Sequence, residues 1–337
     1  MYRRLVKISL ILVYLVIVAG ALVRMTGSGM GCPDWPKCFG YYIPPTESSE
    51  LMWQANKEIH QGQVIIVNES LQVAKSDFTS GETYQQSNWE PYTKHDYATF
   101  NVWHTWIEYL NRLVGALAGL AILFMAFVSI KLWKDDKAIT LLSWFTVFLM
   151  GFQAWLGATV VYSVLVPAKI TTHMLVALLI VALLVYLLEK VTPKMNNSQV
   201  PAKIKGFLVA ALVLTIIQII MGTQVRHYVD DQIDLLGYNA KDLWLNDPMF
   251  TFYAHRSFSI IVLLVNVYLL WQIRMKNYAL KNYHWVLALI GIEILSGMAM
   301  YYVDFPVASQ PLHLVIASLL FGMQFYVFLQ ARNVKKV

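Results

Sequence analysis

Four of the eight histidines lie at the same end of alternating apolar segments, where an imidazole could bind a metal. They are His104, His173, His255 and His313. Polar side chains at membrane depth are costly and are usually functional. A haem iron with two axial histidines needs imidazoles on opposite faces of the porphyrin, each with an Fe–N distance of about 2 Å. His255 and His313 suit that arrangement by position, although a histidine at an interface can also cap a helix or extend to the headgroups.

Four arginines lie near the same ends of the segments: Arg24, Arg112, Arg226 and Arg256. The planar guanidinium group binds carboxylates through two parallel hydrogen bonds, which suits an anionic haem propionate. Any one of these arginines could instead anchor a helix at the headgroup level.

Two acidic residues fall inside apolar segments. Glu108 is three residues before Asn111, so both face the same side of a helix. A buried carboxyl group there could relay protons, or it could pair with Arg112 four residues later. Glu293 is near the middle of the seventh segment. It suits either a proton path or an ion pair, and the sequence does not choose between them.

Cys32 and Cys38 are separated by five residues in the run CPDWPKC, which contains two prolines and Trp35. The charge pattern described below places this run on the outer, oxidising side of the membrane, where disulfides persist. We expect a structural disulfide that holds the exit of the first helix, and the alternative is a redox-active pair.

The elements that must position these residues are apolar helices. The chain has 337 residues, of which 58% are hydrophobic and 14% are charged, and its mean hydropathy is +0.52. Apolar runs of about 20 residues are long enough to cross the hydrocarbon core of a bilayer. We predict an all-α integral membrane protein with spans at 5–24, 101–130, 139–162, 170–189, 204–225, 249–272, 284–303 and 310–331. The first run lacks a small-residue cleavage site, so we interpret it as a retained span.

Charge predicts the orientation of these spans. Lys and Arg are concentrated at both termini and in the loops after the second, fourth and sixth segments. The positive-inside rule then places both termini in the cytoplasm of a cell-membrane protein. The net charge of +6 is dispersed over short loops, so it does not indicate nucleic-acid binding.

The two halves of the chain resemble each other. VRMTG corresponds to TQVRHY, which aligns Arg24 with Arg226, and YLNRLVG corresponds to YAHRSFS, which aligns Asn111 with His255. GATVVYSVLVPAKITTHMLVA corresponds to GMAMYYVDFPVASQPLHLVIA, which aligns His173 with His313. Such a repeat usually means two related sites.

We therefore predict two pseudosymmetric four-helix bundles in parallel orientation. The N-terminal bundle comprises residues 1–192 with a long outer insert at 27–100. The C-terminal bundle comprises residues 193–337 with a shorter acidic insert at 227–248. The segment TPKMNNSQVPAK, residues 192–203, is predicted to link them.

Taken together, these motifs resemble the haem A synthase family. The resemblance is carried by VRMTGSGMGCPDWPKCFG, by the Glu108–Arg112 pattern, by the His255–Arg256 pair and by the prolines that precede His173 and His313. It implies oxidation of the C8 methyl group of haem O to the formyl group of haem A, the cofactor of terminal oxidases, with Glu108 as the catalytic carboxylate.

The resemblance also implies two haem sites. The C-terminal bundle would hold a haem b cofactor between His255 and His313, with Arg226 and Arg256 nearby. The N-terminal bundle would hold the substrate haem O, and its site residues would be Arg24, Asn111, Arg112 and His173. Expected partners are membrane lipid, haem O synthase, an electron donor and further copies of the chain.

Asn111 departs from the family pattern, which has a histidine at this position. The substrate haem could be five-coordinate on His173, with one face open, and we favour this reading. His104 could substitute, but it is seven residues earlier, about 10 Å further out along the helix. The site could also have lost catalysis. Two other functions remain open, namely a transmembrane b-type cytochrome that transfers electrons without modifying haem, and a haem-binding carrier.

Overall fold

The chain folds into long helices and a small β-structured insert. A computed structural model describes residues 1–192, 200–280 and 282–332. The helices are α1 Tyr2–Met25, α2 Val102–Ser129, α3 Lys137–Tyr162, α4 Pro167–Lys190, α5 Ala202–Leu236, α6 Phe250–Met275, α7 Tyr283–Tyr302 and α8 Ser309–Arg332. Within the described residues these eight helices, α2 with its 3₁₀ extension to Leu132, are long and apolar enough to cross a membrane. This confirms the predicted all-α membrane class with eight spans. Helices suit this role because a spanning helix satisfies its backbone polar groups internally.

One predicted boundary is wrong. Helix α5 continues to Leu236, so the second insert begins at Gly237 and not at residue 227. Two pairs four residues apart stabilise the extra turns, with Arg226 2.7 Å from Asp230 and His227 3.7 Å from Asp231. The same turns bury Val229 and Ile233 against Trp244 and Phe305. Most of the predicted linker, residues 193–199, lies outside the described residues.

The insert that follows α1 contains five short strands, which the sequence analysis did not predict. They are β1 Glu58–Ile59, β2 Val64–Val67, β3 Ser70–Ala74, β4 Phe78–Thr79 and β5 Trp89–Pro91. Strands β2, β3 and β5 form one antiparallel sheet, and β1 pairs with β4. The β2–β3 hairpin turns through Asn68 and Glu69, both with positive φ, as a two-residue hairpin turn requires.

The chain forms two compact units. The first comprises Met1–Tyr14, Leu120–Leu149 and Met174–Val337, and the second comprises Leu15–Gly119 and Met150–His173. The main core of the first unit lies among α5, α6, α7 and α8. Inside it Asn266, fully buried, accepts hydrogen bonds from the Tyr283 hydroxyl (2.8 Å) and the Gln324 amide (3.2 Å).

The first unit also shows which helix ends share a side. The Lys190 ammonium group at the end of α4 lies 2.8 Å from Asp136, in the loop between α2 and α3. The hydrogen bond from Lys190 lowers the pKa of the Asp136 carboxyl group. The hydroxyl groups of Tyr2 in α1 and Ser143 in α3 are 2.7 Å apart. The starts of α1 and α3 are therefore neighbours in this unit.

The second unit holds the insert against α2. A buried cluster contains Cys32, Cys38, Phe39, Leu51, Val64 and Leu71, and Tyr109 of α2 packs on it. The start of α2 is capped by Asn101, whose side-chain oxygen accepts hydrogen bonds from the backbone N–H groups of Trp103 (3.0 Å) and His104 (3.2 Å). The insert is thus packed directly on the helix that contains Glu108 and Asn111.

Gly40 and Gly62 provide a test of this packing, since both have positive φ (80° and 81°). A Cβ on Gly40 would overlap the backbone of Gly62 and Gln63, whereas a Cβ on Gly62 would contact nothing within 4 Å. Gly62→Ala should cost about 1–2 kcal/mol for its left-handed backbone alone. Gly40→Ala should cost about 3 kcal/mol or more, because backbone must also move. Rates of proteolysis within residues 27–100 would measure this. Equal rates in the two variants would contradict the packing.

Candidate functional site

The first turns of α2 are hydrogen-bonded to the loop that follows α1. We call this loop, residues 31–40, the disulfide loop. The Thr105 hydroxyl donates to the Gly31 carbonyl (2.7 Å), and the Cys32 N–H donates to Glu108 (2.8 Å). A Cβ on Gly31 would overlap the backbone of His104, so only glycine allows this approach. Cys32 and Cys38 are bonded to each other and buried, which confirms the predicted disulfide.

Arg112 donates hydrogen bonds to backbone carbonyl groups of the disulfide loop. Its Nη1 donates to the carbonyls of Asp34 (2.6 Å) and Lys37 (2.8 Å), and its Nη2 donates to that of Cys32 (3.0 Å). The same Nη2 pairs with Glu108 at 2.5 Å. The structure therefore contains the ion pair that was the alternative reading of Glu108. A haem propionate role for Arg112 and a catalytic role for Glu108 stay predictions.

Other side chains bind the remaining carbonyls of the disulfide loop. The Tyr92 hydroxyl and His95 Nε2 each lie 2.9 Å from the Pro33 carbonyl, and the Tyr162 hydroxyl donates to Trp35 (3.1 Å). The carboxyl group of Asp34 accepts from the N–H groups of Phe39 (2.5 Å) and Gly40 (2.8 Å). Burial raises the pKa of Asp34, while these hydrogen bonds and Arg112 act in the opposite direction. The loop conformation is thus determined by side chains from α2, α3 and the insert.

Each predicted iron-binding position faces a glycine on the preceding helix. A Cβ on Gly157 would lie 3.5 Å from the ring of His173, one on Gly222 3.1 Å from His255, and one on Gly297 3.7 Å from His313. A Cβ on Gly20 would lie 3.9 Å from the side-chain oxygen of Asn111, so Asn111 has the corresponding position on α2. The glycines leave room for an imidazole between helices. The internal repeat of the sequence aligned only two of them, Gly157 and Gly297, which begin the segments GATVV and GMAMYY.

Two glutamines that the sequence analysis missed bind the same helices. Gln153 donates its amide N–H to the His173 carbonyl (2.8 Å), and Gln218 donates to the His255 carbonyl (2.9 Å). Each precedes its glycine by four residues, as Glu293 precedes Gly297. The spacing Gln-x3-Gly, repeated in α3 and α5, was the available signal.

His255 and His313 lie close enough to share one metal. An iron with two axial imidazole nitrogens at about 2 Å places the ring centroids about 6 Å apart. The observed centroids are 6.3 Å apart, and the ring planes are inclined by 71°. The separation of the two rings therefore matches that of two axial ligands of one haem iron.

The Nδ1 atoms of both rings have partners. His255 Nδ1 lies 3.2 Å from the Gln218 carbonyl, which can only accept, so this nitrogen carries the proton. His313 Nδ1 lies 2.8 Å from the Ser296 hydroxyl and 3.1 Å from Glu293. A proton on Nδ1 leaves the lone pair of Nε2 available for iron. In contrast, Nδ1 of His173 is buried without a hydrogen-bond partner among the described residues.

The remaining predicted residues lie in different settings. Arg226 pairs with Asp230, and the guanidinium group of Arg256 stacks on Phe252 (5.8 Å) and Tyr253 (5.6 Å). Arg24 is in the last turn of α1. The side-chain oxygen of Asn111 is buried without a hydrogen-bond partner in the described part of the chain. Binding of propionates by these arginines stays a prediction.

These features define a multi-pass membrane protein with two partly buried imidazoles at the separation of two ligands of one haem iron. Comparison with known proteins gives its family. Residues 3–325 match the COX15-CtaA family, described as cytochrome oxidase assembly protein. The chain belongs to this family, which confirms the resemblance to haem A synthases.

Several similar proteins are named Heme A synthase. One from Wolbachia pipientis subsp. Culex pipiens is 25% identical over 93% of this chain and 92% of its own length. One from Alkalihalophilus pseudofirmus is 24% identical over 97% of both chains. One from Shewanella oneidensis is 26% identical over 56% of this chain, and the matched region covers 46% of that relative's length.

Arg112→Ala should loosen the disulfide loop, because it removes the donors for three carbonyls and leaves Glu108 without its ion-pair partner. Breaking a buried pair costs about 3–5 kcal/mol. We expect reduction of the Cys32–Cys38 bond by a soluble phosphine to accelerate about tenfold or more. The matched control is Lys37→Ala, which removes a positive charge from the same loop and none of these donors. Equal acceleration in both variants would contradict this role of Arg112.

Proposed function

We propose that this protein is a haem A synthase, a membrane oxidoreductase that converts haem O to haem A. Its family membership supports the assignment. The observation that carries it beyond the family is the pair of imidazoles at 6.3 Å, which suits a resident redox haem. The C8 methyl group of the substrate would be hydroxylated twice with O2 as the oxidant, and each time two electrons and two protons would reduce the second oxygen atom to water. The formyl group would arise by loss of water from the resulting geminal diol.

His255 and His313 would hold a haem b that delivers electrons, with Arg226 and Arg256 near its propionates. Glycines opposite both rings provide the space, and the bonded Nδ1 atoms present Nε2 to the iron. The two proposed sites correspond to the predicted bundles, residues 193–337 for haem b and residues 1–192 for haem O.

In the N-terminal half His173 would bind the iron of haem O, and Asn111 would face its other side. An amide is a poor iron ligand, so the substrate would be five-coordinate with one open face. Arg24 and Arg112 would lie near the propionates. Glu108 is 4% exposed and is three residues before Asn111, which places a carboxyl group on the same side of α2. We propose that it is the catalytic proton relay.

The orientation follows from charge. The basic termini and the basic loops after α2, α4 and α6 suit the cytoplasmic side of a cell membrane. The disulfide loop would then face the oxidising side. Haem O synthase and an electron donor are the partners that this activity requires, and further copies of the chain could associate within the membrane.

The decisive experiment is mass analysis of haems extracted from cells that make haem O, with and without this protein. Haem A or hydroxylated haem O only in its presence would support the enzyme. Haem b alone in the purified protein would indicate a b-type cytochrome, which the amide at position 111 would favour. Labile, substoichiometric haem would indicate a carrier.

His255→Ala and His313→Ala should each remove one axial ligand from the haem b site. We expect the six-coordinate low-spin spectrum of the purified protein to be lost in both. His60→Ala, at an exposed histidine in the insert, is the control and should leave the spectrum unchanged. A six-coordinate spectrum that survives either substitution would refute the proposed ligands.

Asn111→His should add a second axial ligand to the substrate site, since Gly20 leaves space opposite this position. With haem O bound, the wild type should show a five-coordinate high-spin component and the variant a low-spin one, with formation of haem A reduced about tenfold or more. Asn111→Ala should stay high-spin. A wild-type substrate haem that is already six-coordinate would contradict the proposed open face.

A further inference from the structure

The two imidazoles of the proposed haem b site have unequal partners. His255 Nδ1 faces a main-chain carbonyl, that of Gln218, at 3.2 Å. His313 Nδ1 faces two side chains of α7, the Ser296 hydroxyl at 2.8 Å and the Glu293 carboxyl group at 3.1 Å. The side chains of His313 and Glu293 are only 24% and 15% exposed, so little water competes for this contact.

The proposed ligation of iron by Nε2 of His313 fixes the direction of these hydrogen bonds. With Nε2 on the metal, Nδ1 is the protonated nitrogen and donates to the Ser296 hydroxyl. The hydroxyl then donates its own proton to the main-chain carbonyl of Glu293 at 3.0 Å. The Nδ1–H group then lies between two acceptors, the hydroxyl and carboxyl oxygens, and Nε2 carries the lone pair.

The chain provides an internal comparison that separates this contact from ordinary helix packing. The residue four positions before the glycine is Gln153 in α3, Gln218 in α5 and Glu293 in α7. Both glutamine side chains bind the backbone carbonyl of the facing histidine. The Glu293 carboxyl group also interacts with the backbone of the facing helix, at Ala317, but of these three side chains it is the one that lies at the ring nitrogen. Since an amide serves for packing in two helices, a costly intramembrane carboxyl group in the third indicates a function at the ring.

We infer that Glu293 is a positioning residue for His313 that strengthens it as an iron ligand and lowers the reduction potential of the haem. The inference rests on the proposed haem b site. A carboxyl oxygen that accepts the Nδ1 proton makes Nε2 more basic, and a more basic ligand stabilises the oxidised iron. The haem then becomes a stronger electron donor to the substrate site. Glu293 acts through His313 and touches no reacting atom.

The test is redox titration of the purified holoprotein, with electron paramagnetic resonance of its oxidised haem. Glu293→Gln should retain haem, because the amide oxygen can still accept from Nδ1, but the midpoint potential should shift to more positive values and the g values should change. The matched control is Ser296→Ala, which removes the nearer acceptor and keeps the carboxyl group. Its shift should be smaller than that of Glu293→Gln.

The outcomes separate this inference from the proposed function. A Glu293→Gln holoprotein with wild-type potential and g values would overturn the role of Glu293, while its bis-histidine spectrum would leave the haem site intact. A wild-type protein without a bis-histidine haem would overturn the proposed cofactor site instead. If Glu293→Gln does not retain haem, Glu293→Asp decides, since it keeps the carboxyl group at a longer distance. An unchanged potential there would overturn the inference.

Discussion

A polar side chain in the hydrocarbon region must find its hydrogen-bond partners within the protein, because lipid provides none. The partly buried histidines of this chain show how that requirement is met. A glycine on the preceding helix makes room for each ring, and polar groups four residues earlier bind the facing helix. The Nδ1 atom of His255 faces the main-chain carbonyl of Gln218, and that of His313 faces the Ser296 and Glu293 side chains, which leaves Nε2 of both rings for a metal. Space, tautomer and ligand availability thus follow from one packing arrangement.

The two halves of the sequence use this arrangement differently. In the C-terminal half both rings have bonded Nδ1 atoms and the separation expected for two ligands of one iron. In the N-terminal half one position is Asn111, and His173 Nδ1 has no hydrogen-bond partner in the described residues. In the proposed function, the histidine pair with bonded Nδ1 atoms would hold the permanent haem b, and His173 would bind a substrate haem that enters, reacts and leaves.

The disulfide loop illustrates how electrostatics shapes the outer end of α2. Loop carbonyls cannot be left without donors when buried, and Arg112 supplies donors to three of them. Glu108 balances that charge and also accepts the Cys32 N–H. The disulfide therefore closes a loop whose shape depends equally on an ion pair inside α2. The disulfide is thereby connected to Glu108 and Arg112, which precede and follow Asn111 in α2.

The sequence by itself determined the eight helices and the disulfide, because apolar length and cysteine spacing are local signals. It also singled out His255 and His313 through the internal repeat, and their rings lie 6.3 Å apart. It did not determine the strands of the insert, nor the extension of α5 to Leu236, where Val229 and Ile233 pack against Trp244 and Phe305. Only the tertiary structure decided that Arg112 binds loop carbonyls, that the Gln218 carbonyl faces His255 Nδ1 and that the Glu293 carboxyl group lies near His313 Nδ1. Such pairings join residues far apart in sequence, and residue type alone cannot say which of several acceptors a buried donor will meet.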